Sequence, residues 1–163
     1  MKLILLSVLL LMIACQSPNR DQFVSLQKKL DSLQERMDLS YKPGFGEFMS
    51  NIQSHHAKLW FAGLHENWPL CDFEIHEIME SMDDIELFET DRPESKMINM
   101  IRPALDSVNS AINLKNPSLF KSKYTLLTAT CNTCHEANHF EFNVVKIPEA
   151  NGFYNQDFSG NHK

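Results

Sequence analysis

Four stretches between residues 44 and 138 place apolar side chains at alternating steps of three and four, and each predicts an amphipathic helix with one buried stripe. The first runs from about Glu47 to about His65, with Phe48, Met49, Ile52, His56, Leu59, Trp60 and Gly63 facing inward. The second opens at Trp68-Pro69, where Asn67 can cap it and proline is tolerated in the first turn. Its stripe is Leu70, Phe73, Ile75, Ile78, Met82 and Ile85, and its opposite face is acidic, with Asp72, Glu74, Glu77, Glu80, Asp83, Asp84 and Glu86. Asp91-Arg92-Pro93-Glu94 breaks the pattern. The third stretch carries Met97, Ile98, Ile101, Leu105, Val108 and Ile112; Pro103 either kinks this helix or marks its true start near Arg102. Asn116-Pro117-Ser118 turns the chain into the fourth stretch, with Leu119, Phe120, Tyr124, Leu127 and Thr128. Short turns join antiparallel neighbours, so the expected fold is all-α, an antiparallel four-helix bundle over residues 44–138.

The flanks read differently. Lys2 followed by the apolar run Leu3 to Ile13 predicts a signal peptide over residues 1–14, too short to span a membrane as a stop-transfer helix. Met12-Ile13-Ala14-Cys15 resembles a bacterial lipobox, departing from it at Met12, where leucine is commoner. That resemblance implies lipidation of Cys15; the alternative is an ordinary signal peptide cut near Ala14. Either way the chain is expected to be exported, to the periplasm or the cell surface. Residues 15–43 then read as anchor, polar tether and stalk. Phe23, Leu26, Leu30, Leu33 and Met37 form a short heptad stripe, read first as a helical stalk and second as a dimerisation helix. Tyr41-Lys42-Pro43-Gly44-Phe45-Gly46 marks the boundary to the bundle. Residues 139–163 predict an extended C-terminal segment. Phe140 and Phe142 are expected to cover the end of the bundle, and the chain from Glu149 onward to be a mobile tail.

Composition narrows the class. Lys and Arg number 15 against 21 Asp and Glu, a formal net charge of −6, which argues against a nucleic-acid partner. Five glycines and long amphipathic runs favour helices throughout. No hydrolase constellation is present, and His76-Glu77 with Glu74 and Glu80 reads as part of a solvated acidic face rather than a metal or catalytic cluster. Cys71, at the head of the second helical pattern, reads as a small core residue.

The chemistry concentrates in Cys131-Asn132-Thr133-Cys134-His135, at the end of the fourth helical stretch. Two thiols three residues apart with a histidine directly after the second is the attachment signature of haem c. Each sulfur forms a thioether to a haem vinyl group, and the neighbouring imidazole supplies the proximal iron ligand. On a helix these positions share one face. Zinc is the first alternative, with His139 as fourth ligand, but the spacing suits a tetrahedron poorly. A redox or inert disulfide is the second.

Four helices with this pentad near the end of the last resemble the class II c-type cytochromes, the cytochrome c-prime group. The stretch Met49 to Gly63 with Asn67-Trp68 is also similar to a group of exported bacterial cytochrome-like proteins, from which no activity is implied. The first resemblance implies one covalent haem c held by Cys131, Cys134 and His135, and single-electron transfer or gas binding rather than enzymatic turnover. It also implies that the first bundle helix faces the haem from the distal side. A methionine early in that helix gives a six-coordinate electron carrier; an apolar residue leaves the iron open to small gases. Met49 occupies the early position and is the candidate distal ligand, or else a core methionine. His56, seven residues on and on the same face, is the rival. The expected partners are a redox protein at the membrane surface and the membrane itself through the lipid. A homodimer is the second option for the stalk.

Overall fold

A computed structural model of the chain describes residues 20–160; the predicted signal peptide, Cys15 and the start of the tether lie outside the described residues. The chain divides into two compact units after Lys42. The first contains helix α1 (Arg20–Asp38), which buries none of its side chains. The heptad residues Phe23, Leu26, Leu30, Leu33 and Met37 are all exposed along it. Gln27 and Gln34 donate to Asp31 and Asp38 one turn on, at 2.9 and 3.0 Å, local support of the kind that helps a helix without a packed face.

In the second unit, α2 (Phe45–Leu64), α3 (Trp68–Phe88), α4 (Arg102–Asn113) and α5 (Pro117–Ala137) enclose one hydrophobic core, an arrangement compatible with a helical bundle. Two short 3-10 turns, Glu94–Lys96 and Ile98–Ile101, lead into α4. No strand occurs among the described residues, and no helix among them is long and apolar enough to cross a membrane. Of the two readings of Pro103, the second holds: α4 starts at Arg102 with the proline in its first turn, where its missing N–H costs nothing.

One device ends three of the helices. Each stops at a non-glycine residue with positive φ: Glu66 (55°), Lys115 (50°) and His139 (64°). The amides around each fold back on the last turn. Asn67 N donates to Ala62 O at 3.0 Å, Asn116 N to Ala111 O at 3.2 Å and Phe140 N to His135 O at 2.8 Å. This is the Schellman closure of a helix C-terminus. At the first two corners the next residue is also the cap of the following helix: the Asn67 side chain accepts from Leu70 N and that of Asn116 from Leu119 N. One three-residue corner therefore stops a helix and starts another, which places α2 beside α3 and α4 beside α5.

The inner face of α3 differs from the expected stripe. The buried line is Cys71, Ile75, Ile78, Met82 and Ile85, at steps of four and three, with Cys71 as its first member. Phe73, expected inside, is 53% exposed, and Glu74, expected on the acidic face, is 1% exposed. Glu74 can stay inside because His55 Nδ1 on α2 donates to its carboxylate at 2.7 Å. Elsewhere on that face, Asp83 and Glu86 are paired with Arg102, at 2.6 and 3.0 Å, which ties the start of α4 to α3.

Beyond Glu149, where the sequence predicts a mobile tail, Phe158 and Phe153 pack against the core. Phe158 is only 3% exposed, its ring meeting Phe61 and Phe153 at 5.8 and 6.4 Å between centroids. The Asn67 side chain donates to the Phe158 carbonyl at 3.2 Å, so one asparagine caps α3 and fastens the tail. Burying Phe158 supplies apolar area that a free tail would lack.

Candidate cofactor site

The last turns of α5 set Cys131, Cys134 and His135 into one wall of a cavity of about 380 Å³, within the usual range of roughly 300–1,000 Å³ for small-molecule and cofactor pockets. The facing wall is α2, with Met49, Gln53 and His56. Met82 of α3, with Ile98 and Ile101 of the second 3-10 turn, also lines it. Residues 140–145 form a strap across the remaining side, through Phe140, Val144 and Val145. The structure thus brings the pentad and both distal candidates around one largely apolar space. Phe142, expected with Phe140 to cover the end of the bundle, is 79% exposed and meets the Phe140 ring edge-on; of the two, Phe140 lines the cavity.

His135 is held twice. Its carbonyl accepts from Phe140 N in the helix-ending motif, and its Nδ1 lies 2.6 Å from the carbonyl of Asn143. A carbonyl only accepts, so Nδ1 carries a proton, and Nε2 is the nitrogen left to bind a metal. A metal-binding imidazole usually donates its outer N–H to such a carbonyl, which fixes the ring's orientation.

Cys131, Cys134 and Cys71 are unpaired thiols. Burial pushes Cys131 up to about 12, with Cys134 adding to the rise. Burial also raises Cys134, while a hydrogen bond from Asn138 pulls the other way. Both thiols are therefore protonated near neutral pH, which disfavours thiol–disulfide exchange. Among the described residues no three of His, Cys, Asp and Glu gather as a metal-ion site, and His139 is exposed at the helix end and does not line the cavity.

The two distal candidates are in different situations. Met49 is partly buried at the cavity wall. His56 is buried with both ring nitrogens engaged: Nδ1 lies 2.9 Å from the Tyr124 hydroxyl and Nε2 lies 3.1 Å from that of Thr128. Tyr124 in turn donates to the His56 carbonyl at 2.8 Å, and its ring stacks on the imidazole. To reach a metal, His56 would have to give up one of these buried hydrogen bonds.

Four contributors were not singled out from the sequence. Met82 looked like any stripe methionine. Arg92 sat in a segment read only as a helix break. Here it lines the cavity, its guanidinium 5.0 Å from the centre of the Phe45 ring and paired with Glu94 at 3.0 Å. Asn132 reaches main-chain atoms of Val145 with its side chain, and Asn143 acts through its own carbonyl; main-chain partners leave no residue-type signal. Other candidates lie apart: His76 is exposed, its Nδ1 donating to the Asp72 carbonyl, and Cys71 is fully buried in the core, its thiol pushed up to about 12 by burial. Comparison of the chain with protein-family models, with curated proteins and with solved structures returns no match.

The residues lining the space would suit a mostly apolar group reached through two sulfurs and one imidazole nitrogen.

Proposed function

We propose that this chain is an exported mono-haem c-type cytochrome, a class II-like antiparallel bundle anchored at the membrane through Cys15, which carries single electrons. The observation that carries the reading is the meeting of Cys131, Cys134 and an Nδ1-protonated His135 on one wall of an apolar cavity large enough for a cofactor. In this reading the two sulfurs hold haem c covalently and His135 Nε2 is the proximal ligand. Haem supplies an Fe(II)/Fe(III) couple; the chain positions it, excludes water and tunes it. Arg92, the one Lys or Arg among the described residues that line the cavity, matches the haem's acidic side chains. The tight corners support antiparallel neighbours. Met49 is the favoured distal ligand over His56, whose nitrogens are already engaged. A Met/His pair raises the reduction potential.

The direct test is maturation in cells carrying the cytochrome c assembly system, followed by haem staining of denatured protein and intact mass. The expected result is one covalent haem, lost when both Cys131 and Cys134 are replaced by alanine. A colourless product with the mass of the bare polypeptide overturns the proposal.

A second measurement separates electron transfer from gas binding. The ferric protein is expected to show a sulfur-to-iron charge-transfer band that Met49→Leu abolishes. A ferrous protein that binds CO at once, with no such band, makes the open-site gas-binding reading the correct one.

A further inference from the structure

Between the two cysteines stands Asn132, whose side chain is absent from the cavity lining. Its carboxamide reaches instead to the strap. Oδ1 accepts from Val145 N and Nδ2 donates to Val145 O, both at 2.8 Å. This is the donor–acceptor pair that a neighbouring strand would offer, supplied by one side chain. Two residues earlier on the strap, the Asn143 carbonyl accepts from His135 Nδ1 at 2.6 Å. A turn closed by Asn143 N on Phe140 O at 2.8 Å, and the Phe140 N bond to the His135 carbonyl, complete the loop back to the helix. The strap is thus fastened at one end by the helix-ending motif and at the other by Asn132, with the imidazole's acceptor between them.

We propose that Asn132 is a positioning residue: its two-point grip on Val145 holds the Asn143 carbonyl against His135 Nδ1 and so sets the orientation and basicity of the imidazole offered to the iron. The inference rests on the cytochrome reading and deepens it, giving the C-terminal segment a part in tuning. An acceptor behind Nδ1 makes the ring a stronger donor, which favours the ferric state. Releasing it weakens the ligand and raises the potential. Only an amide serves both Val145 groups; alanine serves neither and threonine one. Thr133 is the natural control, being exposed between the same cysteines with its hydroxyl donating to Ala129 O within α5.

The experiment compares matured wild type, Asn132→Ala, Asn132→Thr and Thr133→Ala. Three properties are read: covalent haem by staining, midpoint potential by spectroelectrochemistry, and Val145 amide exchange by NMR. All four are expected to carry haem. Asn132→Ala is expected to shift the potential positive and to speed Val145 exchange on the order of fivefold, the loss of one hydrogen bond. Asn132→Thr should do both to a smaller extent, and Thr133→Ala neither. Should Asn132→Ala fail to accumulate, Asn132→Thr carries the same comparison. A coloured Asn132→Ala protein with the wild-type potential overturns this inference alone. A colourless wild type overturns the cytochrome reading on which it rests.

Discussion

Replacing Phe120 by alanine is expected to destabilise the second unit by about 4 kcal/mol, the usual cost of truncating a fully buried phenylalanine. The ring is completely buried and sits among Trp60, Trp68 and Tyr124, with centroids 6.4, 6.2 and 5.9 Å away. Its remaining face lies against the backbone of α2 at Gly63. A Cβ added at Gly63 would lie 2.7 Å from Phe120 Cδ1 and nearer still to the two ring carbons beyond it. The ring has no free space to turn into, so Gly63→Ala is expected to cost about 3 kcal/mol through overpacking. The two sites share one contact, and their effects should not add. In a Phe120→Leu background, the smaller side chain should remove much of the Gly63→Ala penalty. Urea unfolding of the four proteins reads this directly. Equal Gly63→Ala penalties in both backgrounds would mean that the glycine is there for another reason.

That contact also shows what the sequence could reveal of the fold. Gly63 and Phe120 each fell on a predicted inner face because periodicity of three and four reports burial. Periodicity says nothing of which residues from different helices meet. The α3 face shows a second limit: Glu74 and Phe73 are neighbours in sequence, and a hydropathy pattern must send the phenylalanine inward. His55, on another helix, reverses the choice by giving the carboxylate a partner at 2.7 Å. The tail beyond Glu149 failed for a related reason. Its anchor, Phe158 with its carbonyl on Asn67, depends on residues ninety positions away in the chain.

The candidate site was legible where it is written in side-chain identity and hidden where it is written in main-chain atoms. Cys131, Cys134 and His135 announce themselves by type and spacing. The same helix face then brings Met49 and His56 opposite them. The positive φ at His139, which turns the chain back over the pentad, belongs to a residue type that tolerates this conformation without advertising it. The Asn143 carbonyl carries no signature at all. An extended reading of residues 139–148 correctly denied them a helix, but only the closed turn shows that they are a strap with a fixed acceptor.

Lowering the pH from 6.5 to about 4 is expected to remove about 3 kcal/mol of stability through His56 alone. Burial lowers this ring from 6.5 to about 4, and each unit of difference between folded and unfolded states is worth about 1.4 kcal/mol. The sign follows from proton counting. Between those two values the unfolded chain binds a proton at His56 that the folded chain refuses, so acid favours unfolding. The contribution is complete above the unfolded value and is lost as pH falls toward the folded one. Hydrogen-bond geometry is not what excludes the proton. Tyr124 donates to the His56 carbonyl and Thr128 to the Tyr124 carbonyl, so both hydroxyls could accept from a doubly protonated ring. Burial is what excludes the proton: among the described residues the ring nitrogens meet two hydroxyls and no carboxylate, and the low-dielectric core disfavours the charged form. Urea unfolding of the matured protein across this range, beside His56→Gln, is the measurement. The glutamine variant starts less stable, because it cannot stack on Tyr124 as the imidazole does, but its stability should fall less steeply by that same amount. If the two proteins lose stability in parallel, His56 is already charged or already exposed, and the buried network does not hold it as described.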